Sequence, residues 1–229
     1  MGKVKYASFI QDVRGLVGDA VFQKNKAGNT IRERVVPVNP RSSSQVAVRS
    51  NLSVLSKAWS GLTDSQRSQW DTAAASAEWT QKNVFGDNFQ LSGEQLYLKL
   101  NLVIQFLEES PIDVPPTKAT FNAMSLGAIT AAAGTPALTV AFNGTLASDT
   151  QFIVSASEQV SQGIMSSKSV SYRAIENTSG SSPINLLAAY NAKFGTLVAG
   201  RKIFIRLEVA SDLTGEKVLV GEGSVIVGA

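Results

Sequence analysis

The chain has 229 residues, 44% of them apolar, with 21 Lys and Arg against 18 Asp and Glu and with neither cysteine nor histidine. Without cysteine there are no disulfides, thiolate metal sites or cysteine nucleophiles. Without histidine the commonest general base and metal ligand are also missing, so the composition argues against an enzyme and predicts no cofactor and no metal site.

No apolar run reaches the length of a membrane helix, so no membrane partner is expected. The charged start Met1-Gly2-Lys3-Val4-Lys5-Tyr6 leads into no apolar signal segment, and Tyr6 breaks the myristoylation pattern that Gly2 would open. Charge is unevenly spread. Residues 1–60 carry ten Lys/Arg against three Asp/Glu, residues 61–116 three against eight, and residues 117–229 eight against seven. A basic arm followed by an acidic segment suits docking on an acidic partner, head-to-tail contact between copies, or nucleic acid.

The chain opens with two β-prone runs, Gly15 to Phe22 and Thr30 to Val35, on either side of the polar stretch Lys24-Asn25-Lys26-Ala27-Gly28-Asn29. This is a hairpin signal, and strand alternation puts Arg32 and Arg34 on one face. That face is either solvated or a binding surface. Pro37 and Pro40 exclude helix, and Ser42 to Ser44 offer a cap for the helix that follows. Val48, Leu52, Leu55 and Trp59 then form one apolar helical stripe, which Gly61 ends.

Thr63-Asp64-Ser65-Gln66 has the form of a capping box and starts a second helix carrying Trp70, Ala73, Ala74 and Ala77. The short link predicts a helical hairpin in which Trp59 and Trp70 meet as core. A polar loop over 80–91 follows. Ser92-Gly93-Glu94-Gln95 is a second capping box, opening a helix with Leu96, Leu100, Val103 and Leu107 on its main stripe. Leu98, Ile104 and Phe106 add apolar side chains off that stripe. A helix apolar nearly all round is covered on several sides, and here part of the cover is expected from another subunit, through Ile104 and Phe106.

Three prolines in Pro111-Ile112-Asp113-Val114-Pro115-Pro116 predict an extended linker. Beyond it come short alternating runs: Leu138–Phe142, Phe152–Ala156, Ile203–Val209, Val218–Val220 and Val225–Val227. Gly, Asn, Ser and Asp separate them, and Leu187 to Phe194 reads as a short helix or a crossing loop. About seven strands at this spacing predict an immunoglobulin- or fibronectin-like sandwich without the disulfide of antibody domains.

No arrangement of residues carries chemistry. Gly15 and Gly18 lack the frame of a phosphate loop. Glu108 and Glu109 are neighbours on a helix, about 100° apart, and read as a solvated helix end. Asp212, Glu216 and Glu222 lack the dense Asp/Asn loop that calcium requires. The basic residues Lys24, Lys26, Arg32, Arg34, Arg41 and Arg49 would bind phosphates in a salt-dependent way. No helix-turn-helix, zinc motif or stacking platform accompanies them.

Val17-Gly18, Arg32 with Arg34, Pro37, Asn39-Pro40-Arg41-Ser42, Gln45, Arg49, Leu55, Trp59, Leu62-Thr63, Gln66 and Trp70 form a pattern. It continues in Gly93, Gln95-Leu96-Tyr97 and Asn101. The pattern resembles a family of largely uncharacterised proteins of tailed bacteriophages and prophages. It covers about residues 9–116, with Ser42 where the family pattern has Thr. The resemblance implies a virion or virion-assembly protein, with the virion as its location and other capsid, neck or tail subunits as partners.

The expected fold is α+β: a basic arm with a hairpin over 1–41, a helical segment over 42–110, a proline linker over 111–116 and a β-sandwich over 117–229. The expected function is a non-enzymatic structural subunit, homo-oligomeric or bound to a lattice. Head decoration or a minor capsid role is preferred to the neck or tail. Arg32, Arg34 and Arg41 are expected to meet carboxylates of the partner, with Lys24, Lys26, Arg49, Ile104 and Phe106 as further contacts. The alternative is a DNA-binding or packaging protein that uses the basic arm.

Overall fold

The computed structural model describes residues 2–3, 13–25, 28–36, 38–39, 41–82, 88–166 and 170–229. They belong to two units, Met1–Val46 and Ala47–Ala229.

The first unit is a small antiparallel sheet. Its strands are β1 (Gly2–Lys3), β2 (Gly15–Val17), β3 (Ala20–Asn25) and β4 (Gly28–Glu33), in the order β1-β4-β3-β2. β3 pairs with β4 as a hairpin from Ala20 opposite Glu33 to Asn25 opposite Gly28, so Lys24, Asn25, Gly28 and Asn29, expected in the loop, belong to the strands, and the run Gly15 to Phe22, expected as one strand, is divided into β2 and β3. Gly18 takes φ +57° in the turn between β2 and β3, a left-handed conformation that a side chain resists. Among the described residues of this unit only Thr30 is buried, and no described apolar side chain is.

α1 (Ser43–Gly61) follows, its first turn capped by Ser42, whose Oγ accepts the Gln45 N–H at 3.4 Å. α2 (Asp64–Ala75), β5 (Gln81–Lys82), β6 (Asn88–Phe89) and α3 (Gly93–Phe106) complete the helical layer. Both predicted capping boxes are present. Thr63 and Gln66 exchange side-chain-to-backbone bonds of 3.3 and 2.9 Å, and Ser92 and Gln95 exchange bonds of 3.2 and 3.1 Å.

Leu55, Trp70, Trp79, Leu96, Tyr97 and Leu100 form the core of this layer. The Tyr97 ring sits 5.3 Å from Trp59 and 5.4 Å from Trp70, the latter edge-on, so the two tryptophans meet a shared tyrosine. The α1 stripe is core only in its second half. Leu55 is fully buried, whereas Leu52 is 43% and Val48 65% exposed.

Residues 111–116 are not a free linker. The buried Asn101 side chain accepts the Ile112 N–H at 2.7 Å and donates to the Ile112 carbonyl at 3.2 Å and the Tyr97 carbonyl at 3.1 Å. Trp70 Nε1 donates to the Asp113 carbonyl at 2.9 Å. The proline segment is a strap tied to α2 and α3, because a helix side chain supplies the partners that its extended backbone lacks.

The remainder contains β7 (Ser125–Ala132), β8 (Ala137–Asn143), β9 (Thr150–Ala156), β10 (Arg173–Thr178), β11 (Ile184–Asn185), α4 (Leu187–Phe194), β12 (Lys202–Ser211) and β13 (Lys217–Ile226). They form two antiparallel sheets, β10-β9-β12-β13 and β11-β8-β7, around one core. Leu138, Val140 and Phe142 of β8 meet Phe152 and Val154 of β9 and Ile203, Ile205 and Leu207 of β12. Two runs read from the sequence as separate strands, Val218–Val220 and Val225–Val227, belong largely to the single strand β13. A Cβ on its Gly221 or Gly223 would fall 2.8 Å from Leu126 or 2.7 Å from Ile129, so the glycines let β7 close over it.

α3 lies on the outer face of the four-stranded sheet. Leu107 and Val103 pack with Ile153 of β9, Ala174 of β10 and Ala210 of β12. Gly215, at φ +69° in the turn before β13, leaves room for the helix, since a Cβ there would lie 2.2 Å from the Leu100 carbonyl oxygen. Helical layer and sheets therefore form one unit, with no boundary at the prolines.

Candidate partner-binding surfaces

The first unit supplies most of the predicted cations. Lys24 is exposed on β3, Arg32 is exposed on β4, and Arg34 is exposed just past the end of β4. Lys26 lies outside the described residues. Arg32 Nε donates to Gln23 Oε1 at 3.2 Å, and the Arg34 N–H donates to the Asp19 carbonyl at 2.7 Å. Arg41 takes φ 46°, and its N–H donates to Asn39 Oδ1 at 3.4 Å. Among the described residues no carboxylate forms an ion pair with Arg32 or Arg34.

The register places Leu16 opposite Val21 and Val21 opposite Arg32, so one face carries a row of two apolar side chains ending in a guanidinium. Leu16 is 51% exposed on this face. Arg49 belongs to the second unit, on the exposed first half of α1.

Ile104 is not a partner contact. It is fully buried within its own chain, beneath the turn at Gly215. The sequence places it off the main stripe of α3, and the chain's own sheet covers that second face. Phe106 behaves differently. It is 43% exposed beside a cleft of about 290 Å³ formed with Leu102, Val103, Ile153, Ala174 and Glu208. Asn177 Nδ2 donates to the Phe106 carbonyl at 2.8 Å, which ties the end of α3 to β10.

Two carboxylates follow. Glu108 and Glu109 are exposed, Glu108 at φ 66°, and the last turn of α3 holds no basic residue. Carboxylates at a helix C-terminus face the negative end of the helix dipole. Neither pairs with a cation among the described residues.

On the other side of Lys217 lies a groove of about 560 Å³, with Leu102, Val103 and Val218 on its walls and Lys99, Lys118 and Glu216 around it. Lys99 Nζ donates to Gln81 Oε1 at 2.7 Å, and Lys118 Nζ donates to the Glu78 carbonyl at 3.1 Å. Burial lowers the pKa of Lys99, Glu216 acts against that shift, and Lys118 adds to it. Lys217 is held by both oxygens of Glu208, at 3.1 and 3.2 Å. With each lysine already occupied, this groove is built as a joint between helix and sheet.

Among the described residues no three Asp or Glu side chains come together to hold a metal ion. No described helix is long and apolar enough to cross a membrane. Glu108 and Glu109 are exposed at the end of α3, as a solvated helix end is expected to be, and what the sequence reading did not join to them is the neighbouring exposed Phe106. The absence of Lys or Arg from the last turn of that helix was the available signal. No protein-family model, curated protein or solved structure matches the chain.

Proposed function

We propose that this chain is a structural subunit of a tailed-phage particle. It grips other capsid, neck or tail subunits through its arm and helices and holds out a β-sandwich of immunoglobulin or fibronectin type. The observation that carries this reading is the arm: an antiparallel sheet with no buried apolar side chain among its described residues, with Lys24 and Arg32 on its strands and Arg34 and Arg41 in the segment that follows. Short strands gain stability by burying a face, and a sheet whose described apolar side chains are at most half-buried is suited to being completed by a partner. The pattern running from Val17-Gly18 through Asn39-Pro40-Arg41 to Trp70 and Asn101 supports the phage assignment. Three antiparallel strands over four around one core support the sandwich.

A head-decoration or minor capsid role fits best with a β-domain held outward, and a neck or tail role comes next. The test is copy number in purified particles by quantitative mass spectrometry. Many copies support decoration of the head, about a dozen or fewer indicate the neck or tail, and none overturns the reading.

The basic arm favours one second reading, binding of DNA. Multiple phosphate contacts would lower affinity about a thousandfold over a modest rise in salt. A filter-binding salt titration that shows this slope would establish it.

A further inference from the structure

We infer, resting on the structural-subunit reading, that the arm sheet of one copy docks on the Phe106–Glu109 corner of a second copy, giving a head-to-tail contact. The two surfaces match in chemistry. The arm offers Leu16 and Val21 in a row with Arg32, and Arg34 lies just beyond. The corner offers an aromatic side chain that is 43% exposed, followed by two exposed carboxylates.

Each surface lacks what the other supplies. The arm sheet has no buried apolar side chain among its described residues, and its arginines Arg32 and Arg34 have no carboxylate partner there. The corner sets two anions at the negative end of a helix with no basic residue in the last turn. Guanidinium groups from outside would hold these carboxylates through paired hydrogen bonds and offset the helix dipole. Nucleic acid complements the arginines but leaves the exposed Leu16 and the half-buried Val21 beside it without an apolar cover, so the mixed row selects a protein surface. The charge along the chain has the same sense, with ten cations against three anions in residues 1–60 and three against eight in residues 61–116.

Because the two surfaces differ, the contact is heterologous. It propagates into a ring or an open row of copies.

The experiment uses the full chain in sedimentation velocity over a concentration series, at low salt and at about 0.5 M salt, where screening is nearly complete beyond a few ångströms. Wild-type protein is expected to form higher species at low salt that dissociate at high salt. Arg32→Glu with Arg34→Glu, and separately Glu108→Lys with Glu109→Lys, are each expected to weaken association at least about tenfold. Mixing the two variants restores matched charges in both directions, so the mixture is expected to assemble while each variant alone does not. Circular dichroism melts check that both variants remain folded.

A wild-type chain that stays monomeric throughout overturns the proposal. So do folded variants that associate like wild type, or a mixture that fails to assemble. A chain that binds DNA through the arm and never self-associates overturns it as well. None of these results bears on the copy number in particles, so the virion reading stands or falls separately.

Discussion

The molecule contains small antiparallel sheets in two settings. In the arm, β1 to β4 pair in good register, yet Phe22 and Ile31 face each other only half-buried and Leu16 and Val17 are largely exposed. In the second unit, Phe152, Val154, Ile203, Ile205 and Leu207 are all fully buried between two sheets. Backbone pairing is similar in the two places, and what differs is cover. Hydrogen bonds give a sheet its register, but each contributes little net stability because water competes for the same groups. Burial supplies the rest, at roughly 25 cal/mol per Å² of apolar surface. A sheet can thus keep its pairing with little apolar cover, as at Leu16 and Val17, whereas the paired sheets of the second unit enclose a core.

The largest expected effect breaks or keeps that comparison directly. Phe152→Ala should cost about 3–5 kcal/mol in urea unfolding, as truncation of a fully buried aromatic residue does. Phe22→Ala should cost no more than about 1 kcal/mol, the worth of a half-buried cross-strand pair. A cost at Phe22 similar to that at Phe152 would mean that the arm sheet has a core of its own.

Next come two glycines with left-handed backbones in different settings. At Gly215 an added Cβ would lie 2.2 Å from the Leu100 carbonyl oxygen, so Gly215→Ala should cost about 2–4 kcal/mol by adding collision to strain. At Gly18 nothing lies within 4 Å, so Gly18→Ala should cost only the conformational strain, about 1 kcal/mol. The second cost should not appear in the melt of the second unit.

Asn101→Ala removes the side chain that holds the strap, and it should lower stability by about 2 kcal/mol because buried backbone groups lose their partners. Faster amide hydrogen exchange at Ile112 is the specific readout. An unchanged rate would show that the strap is held by packing alone. The same bonds, with the cover that α3 gives to Ile153 and Ala210, predict that a fragment starting near Thr117 melts below the full chain.

The smallest effect concerns Tyr97, whose hydroxyl is buried with no hydrogen-bond partner among the described residues. Tyr97→Phe should be neutral or gain up to about 1 kcal/mol, since an unpaired polar group is costly to bury. Burial first, and Asp113 nearby second, raise the pKa of Tyr97, and burial with Glu158 raises that of Tyr190. A phenol with a raised folded pKa contributes stability that is complete below the unfolded value of about 10 and lost as pH rises through the folded value. Stability should therefore fall above about pH 10, and less steeply in Tyr97→Phe.

Much of the local structure is legible in the residues. Both capping boxes follow from cap residues, the presence of a hairpin in the arm follows from its β-prone runs, and α4 is one of the two forms, helix or crossing loop, that Leu187 to Phe194 left open. The misreadings share one cause. Gly221 and Gly223 read as the end of a strand because nothing local shows that Leu126 and Ile129 lie over them. The prolines at 111–116 read as a linker because Asn101, which satisfies their neighbours' backbone, looks like any polar helix residue. Asn101 and Gly215 were not singled out as joints for the same reason. Of the proposed contacts, Phe106 is exposed and Ile104 is not, although both stand off the main stripe of α3.

By itself the sequence determined the helix starts at the two capping boxes and the strand or helix character of the main apolar runs, because caps and periodicity act between residues a few positions apart. It also determined the charge contrast between arm and helical segment. Only the tertiary structure decided which apolar faces are covered. Val48 and Leu52 share a stripe with Leu55, but only Leu55 finds a covering layer. α3 is closed from behind by a sheet and a turn whose residues lie far along the chain. Cover depends on which distant side chains arrive at a face and how closely their backbones approach, and no local pattern carries that information.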